Sequence, residues 1–140
     1  MRVKRTLLPV LRIPPGAFAA MVGHAYDGYP LEACGLLVGS GSTVRRFVAC
    51  TNADASARVY SIPGVELLRA ERAADDDGLA VIGVVHSHTH SEPYPSPTDV
   101  AQAPDPGWHY VIVGLKREAP ETRSYRIADG TVTEEQLVIS

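Results

Sequence analysis

Leu79-Ala80-Val81-Ile82-Gly83-Val84-Val85-His86-Ser87-His88 is the stretch whose reading decides the fold. Its first seven residues form a short, β-branched apolar run, the pattern of a buried strand. His86 and His88 then stand where that strand emerges, and side chains at i and i+2 point to one face. Two imidazoles on one face can bind the same cation. Ser96 and Asp99 follow, so the pattern reads His-x-His-x7-Ser-x2-Asp and spells a zinc site. The loop over residues 89–97 folds back to bring Asp99 in as a third ligand. Three protein ligands leave one coordination position for water, which is how a catalytic zinc differs from a closed structural one. Two imidazoles and a carboxylate also suit other divalent metals, so the ion itself stays open.

Outward from this strand the elements alternate. Residues 6–13 read as a first strand. Pro14-Pro15 opens a helix running to about Tyr29, because proline fits a first helical turn and Gly28 and Pro30 mark its end. Ala33-Cys34-Gly35-Leu36-Leu37-Val38-Gly39 is an apolar run too short for a helix, and it pairs as a hairpin with residues 44–49 across Gly39-Ser40-Gly41-Ser42. Pro63 starts a second helix that ends at the acidic Asp75-Asp76-Asp77-Gly78, a solvated helix end without calcium-loop spacing. After the histidine strand a short helix follows with Thr98 as its cap, until Pro104 and Pro106 break it. Residues 109–115, 122–127 and 131–139 read as three consecutive strands, the last two joined by Ala128-Asp129-Gly130. The fold class is α/β, a mixed sheet with helices packed on it.

Composition narrows the setting. With 140 residues, 45% of them hydrophobic, the chain suits one domain spanning 1–140. Net charge is −3, Lys and Arg form no stripe and aromatics are few, so no nucleic-acid face is expected. The basic start Met1-Arg2-Val3-Lys4-Arg5 and the apolar residues after it are interrupted by Pro9 and Arg12 and read as a strand rather than a leader. No stretch reaches the length of a membrane span. Cys34 and Cys50 make no disulfide framework, and a cytoplasmic protein is expected.

Hydrolysis at such a metal needs a group that accepts the water's proton and returns it to the leaving amine. Glu32 is the best candidate, at the junction of the first long helix and the Ala33 to Gly39 strand. The Ser96 hydroxyl suits donation to the developing oxyanion. His90 continues the spacing of His86 and His88 and offers a third nitrogen, but a catalytic zinc wants only three protein ligands, so a bystander role is expected. Cys34 reads as a small buried hydrophobe rather than a nucleophile. Asn52 orients substrate, braces the zinc loop or belongs to an ordinary turn after a strand. Tyr60 and Tyr94 are candidate cleft walls, and His24 and His109 are expected to be structural or exposed.

Glu32 with His86-Ser87-His88, Ser96 and Asp99 resembles the JAMM (MPN+) metalloprotease family. The resemblance implies a mixed sheet flanked by helices in a cytidine-deaminase-like layout, with zinc on His86, His88 and Asp99, Glu32 as general acid/base and Ser96 supporting the oxyanion. Glu32-Ala33-Cys34-Gly35, Thr51-Asn52-Ala53, His86-Ser87-His88-Thr89, Tyr94-Pro95-Ser96, Thr98-Asp99-Val100 and His109-Tyr110-Val111 are similar to one bacterial branch, which acts on CysO-type sulfur carriers. Thr89 stands where many JAMM proteins have proline, a feature of that branch. The resemblance implies a small ubiquitin-like sulfur-carrier partner with a Gly-Gly tail, from which cysteine is released in cysteine biosynthesis. Trimming of a short carrier extension, to expose Gly-Gly for thiocarboxylation, is the alternative. A non-catalytic scaffold of the same fold fits poorly, because all the ligands are kept. A homo-oligomer is compatible with the sequence.

Overall fold

The computed structural model describes residues 9–140. In chain order its elements are β1 (Val10–Ile13), α1 (Pro15–Gly28), β2 (Cys34–Ser40), β3 (Thr43–Cys50), α2 (Gly64–Asp76), β4 (Ala80–His88), α3 (Pro97–Ala101), β5 (His109–Gly114), β6 (Glu121–Ala128) and β7 (Thr131–Ile139). The expected elements are therefore present, although residues 6–8 of the expected first strand lie outside the described residues. Thr98 does not cap α3. Ser96 does, because Pro97 belongs at the first helical position, where its missing N–H costs nothing.

The sheet is mixed and closes on itself in the order β1-β3-β2-β4-β5-β6-β7. Closure goes beyond the expected sheet and is the work of β1, which runs parallel to β7 from Val10↔Gln136 to Ile13↔Ile139 and touches β3 at Arg12↔Thr43. The histidine strand β4 lies inside this order, antiparallel to β2 and parallel to β5. Both of its faces are covered. Val85, Leu37, Val111 and Val113 pack toward Met21 and Ala25 of α1, whereas Val84, Leu36, Tyr110 and Ile112 pack toward Ala70 of α2. That two-sided burial is why β4 reads as a continuous apolar run instead of an alternating one. Among the described residues no helix is long and apolar enough to cross a membrane.

Turn chemistry agrees with the sequence. Asp129 and Gly130 both take positive φ, 51° and 76°, as a two-residue β6–β7 hairpin requires. Asp77 of the acidic run pairs with Arg46 at 2.8 Å on the surface.

His109 is buried and structural. It contacts Glu135 through Nδ1, Ser124 Oγ donates to the same carboxylate oxygen at 2.8 Å, and Arg126 Nη1 donates to His109 Nε2 at 3.2 Å. The guanidinium has no acceptor, so Nε2 must be the bare nitrogen and Nδ1 carries the proton toward Glu135.

Gly83 marks the closest approach of β4 to β5, since a Cβ there would lie 2.5 Å from the His109 carbonyl oxygen. Gly83→Ala should cost about 2 kcal/mol of stability through forced backbone displacement. Urea unfolding measures this directly, and an unchanged midpoint would contradict so tight an approach.

Candidate metal centre

His86 and His88 are the i and i+2 pair at the end of β4, both buried. The loop after them returns through Pro93 to α3, where Ser96 and Asp99 form a reciprocal capping box. Asp99 N–H donates to Ser96 Oγ at 3.0 Å, and Ser96 N–H donates to Asp99 Oδ2 at 2.9 Å. The same Oδ2 lies 3.1 Å from His86 Nε2 and 3.0 Å from His88 Nε2, and the two Nε2 atoms are 3.1 Å apart. Three ligand atoms thus form a nearly equilateral triangle.

This triangle fits a divalent cation. Tetrahedral bonds of about 2.0–2.1 Å to nitrogen and oxygen place neighbouring ligand atoms roughly 3.3 Å apart. His88 Nδ1 donates to the Glu92 carbonyl at 2.7 Å, which leaves the Nε2 lone pair facing the centre when the ring is neutral. Glu92 is itself held by Lys116 at 3.2 Å and Arg117 at 2.6 Å, and those cations lower its carboxyl to about 2. The His86 ring lies under Tyr60, with centroids 4.3 Å apart and planes at 19°. Burial lowers the pKa of His86 and so favours the neutral, ligating form. Burial opposes the charge on Asp99, yet the two imidazoles beside it and the Ser96 N–H hold its carboxyl below the ordinary range.

Glu32 stands beside the triangle without joining it. It is buried, its Oε1 has no hydrogen-bond partner, and it shares a cavity of about 420 Å³ with His88 and Ser96. Burial raises its pKa from 4.5 to about 7, with His88 lowering it and Asp99 raising it further. Such a carboxyl exchanges protons readily at neutral pH.

Two side chains set this position. Ser87 Oγ accepts from Ala33 N–H at 2.8 Å and Ser87 N–H donates to Ala33 O at 2.9 Å, fastening the residue after Glu32 to β4. Asn52 Nδ2 donates to the carbonyls of Glu32 and Val59, each at 3.0 Å, while its Oδ1 accepts from Asp54 and Ser61 N–H at 3.1 Å. Asn52 is therefore a brace and not merely a turn residue.

The remaining candidates separate clearly. His90 lies outside the triangle, its Nδ1 2.8 Å from Thr89 Oγ1 and its ring beside Tyr29. Cys34 is buried, its thiol pushed up to about 12 by burial, and it donates to Thr51 O at 3.4 Å. Cys50 is likewise a buried free thiol. Tyr60 walls a second, apolar cavity of about 260 Å³ that reaches Asp99, together with Trp108, Leu67 and Ile62. Tyr94 does not join either cavity, since it is exposed and packs edge-on against Tyr125. His24 ties α1 to the sheet by contacts of 3.0 and 3.2 Å to the carbonyls of Cys34 and Cys50.

Residues 14–128 match the domain family described as prokaryotic homologs of the JAB domain. The CysO-cysteine peptidase of Mycobacterium tuberculosis is 41% identical over 140 residues, covering 98% of this chain and 96% of that protein. A desampylase from Haloferax volcanii is 33% identical over 109 residues, covering 73% and 78%. A solution structure of a Desulfitobacterium hafniense protein superposes with a TM-score of 0.85 at 30% identity, covering 94% of this chain and 93% of that one.

The raised Glu32 pKa has a sign that can be tested on the metal-free protein. A carboxyl whose folded pKa exceeds its unfolded value contributes stability that is complete below pH 4.5 and is lost as pH rises to about 7. Glutamine carries no such penalty. Metal-free Glu32→Gln protein should be more stable than the parent at pH 8, by up to about 3 kcal/mol, with the gap closing in acid. Equal pH profiles in denaturant titrations would show that residue 32 ionises as it does in water.

Proposed function

The chain belongs to the prokaryotic JAB-domain family, and from that premise we propose that it is a zinc-dependent peptidase. Its substrate is the amide bond after the C-terminal glycine of a ubiquitin-like sulfur carrier, and its leaving group is cysteine. One observation carries the mechanism. The His86, His88 and Asp99 ligand atoms converge beside a cavity that His88 shares with a buried carboxyl, Glu32. Similarity along 98% of the chain to a protein named CysO-cysteine peptidase supports the choice of substrate.

His86, His88 and Asp99 would hold the zinc, which would supply Lewis acidity toward water and the scissile carbonyl. Glu32 takes a proton from the attacking water. It then returns that proton to the cysteine amine as the carbon–nitrogen bond breaks, and its burial beside His88 and Ser96 places it to do both. Ser96 acts twice. Its oxygen accepts the Asp99 N–H and so fixes the helix turn that carries Asp99, while its hydroxyl proton remains free to meet the developing oxyanion. A Gly-Gly tail suits such a cleft because it has no side chains to exclude. The two free, buried thiols agree with a cytoplasmic setting.

Intact mass of a Gly-Gly carrier bearing C-terminal cysteine tests this reading. Zinc-loaded parent should remove one cysteine residue, and Glu32→Gln should lower turnover at least about 100-fold while keeping its zinc. Retained turnover in the variant would reject Glu32 as the base. An inert cysteine-bearing carrier, alongside cleavage of one with a longer extension, would replace cysteine release by tail trimming.

A further inference from the structure

The cavity beside the triangle has one cationic wall. Arg58, exposed, lines it together with Glu32, His88 and Ser96. Arg58 has no carboxylate within ion-pair distance among the described residues, which it shares with Arg45, Arg69 and Arg72, but of these it alone lines this cavity. Its backbone is nonetheless held on both sides. Arg58 N–H donates to Ser56 Oγ at 3.0 Å, the Ala57 carbonyl accepts from Thr89 Oγ1 at 3.4 Å, and the Val59 carbonyl accepts from Asn52 at 3.0 Å. Thr89 directly follows the ligand His88, and Asn52 also grips Glu32, so the loop bearing Arg58 is referenced to the reacting centre from two directions.

A guanidinium stays charged at every physiological pH and matches a carboxylate with two parallel N–H donors. A leaving cysteine carries such a group one carbon away from the amine that Glu32 must protonate. Without a countercharge that carboxylate would enter a cavity already lined by the Glu32 carboxyl, and repulsion would oppose it.

We propose that Arg58 is a specificity determinant that binds the α-carboxylate of the leaving amino acid and makes the site an exopeptidase for a single C-terminal residue. The inference rests on the peptidase reading above and deepens it. A substrate whose leaving nitrogen belongs to a longer extension or to a lysine side chain places no carboxylate at this wall. Arg58 then contributes nothing, and its desolvation counts against such substrates.

CysO with a C-terminal thioester, ligated either to cysteine or to cysteinamide, provides two substrates differing only in that charge. Zinc-loaded parent should prefer the acid over the amide by about 10- to 100-fold in kcat/KM, the value of one charged hydrogen-bonded pair. Arg58→Ala should bring the ratio near one, Arg58→Lys should restore part of it, and Arg58→Glu should reverse it. The zinc-loaded Glu32→Gln protein gives a readout without turnover, since calorimetry should find the uncleaved acid bound more tightly than the amide only while Arg58 is present. Equal cleavage of acid and amide by the parent, or an equal loss on both in Arg58→Ala, would overturn the assignment while leaving the peptidase intact. Cleavage of neither by the parent would overturn this proposal, and a carrier with a longer extension left intact as well would remove the peptidase reading with it.

Discussion

Three buried lone pairs aimed at one point constrain the rest of this molecule. His86 Nε2, His88 Nε2 and Asp99 Oδ2 lie 3.0–3.1 Å from one another, a geometry that repels unless a cation or a proton is shared among them. Holding it takes material from several elements. β4 must be covered on both faces to keep two imidazoles in register, and α3 must start at Ser96 so that its capping box can aim Asp99. The loop between them is tied through Glu92, whose carbonyl fixes the His88 tautomer and whose side chain is gripped by Lys116 and Arg117.

Glu32 adds a second demand that conflicts with stability. A carboxyl buried near Asp99 is costly to ionise, and the fold places it there through backbone ties, because its Oε1 has no bonded partner. Ser87 and Asn52 provide those ties, one to the strand of the ligands and the other to the loop carrying Tyr60. The pattern is that of a locally unfavourable buried group whose cost the surrounding hydrogen bonds offset.

Legibility in the sequence followed the range of the interaction. Local signals gave the β4 run, the His-x-His spacing, the helix opened by Pro15 and the β6–β7 turn, because each is decided by residues within a few positions. The α3 cap was equally local. Ser96-Pro97-Thr98-Asp99 is a capping-box pattern with proline at the first helical position, so Ser96 and not Thr98 was the residue to read. Sheet closure by β1 was not legible, since parallel pairing of Val10–Ile13 with Gln136–Ile139 joins the two ends of the described chain. The His109–Glu135 contact spans 26 residues and carries no motif. Tyr60 and Tyr94 had equal standing as cleft walls, and only the path of the loop bound by Asn52 sets Tyr60 on His86, whereas Tyr94 is exposed against Tyr125.

X-ray absorption of the zinc-loaded protein tests the central claim most directly, because it counts ligand types without reference to activity. Two imidazoles with oxygen donors at about 2.0 Å, and no sulfur, are expected for His86, His88 and Asp99 with an open fourth position. A sulfur shell near 2.3 Å, or a third imidazole from His90, would contradict an open catalytic centre and mean that the ion is held in another way.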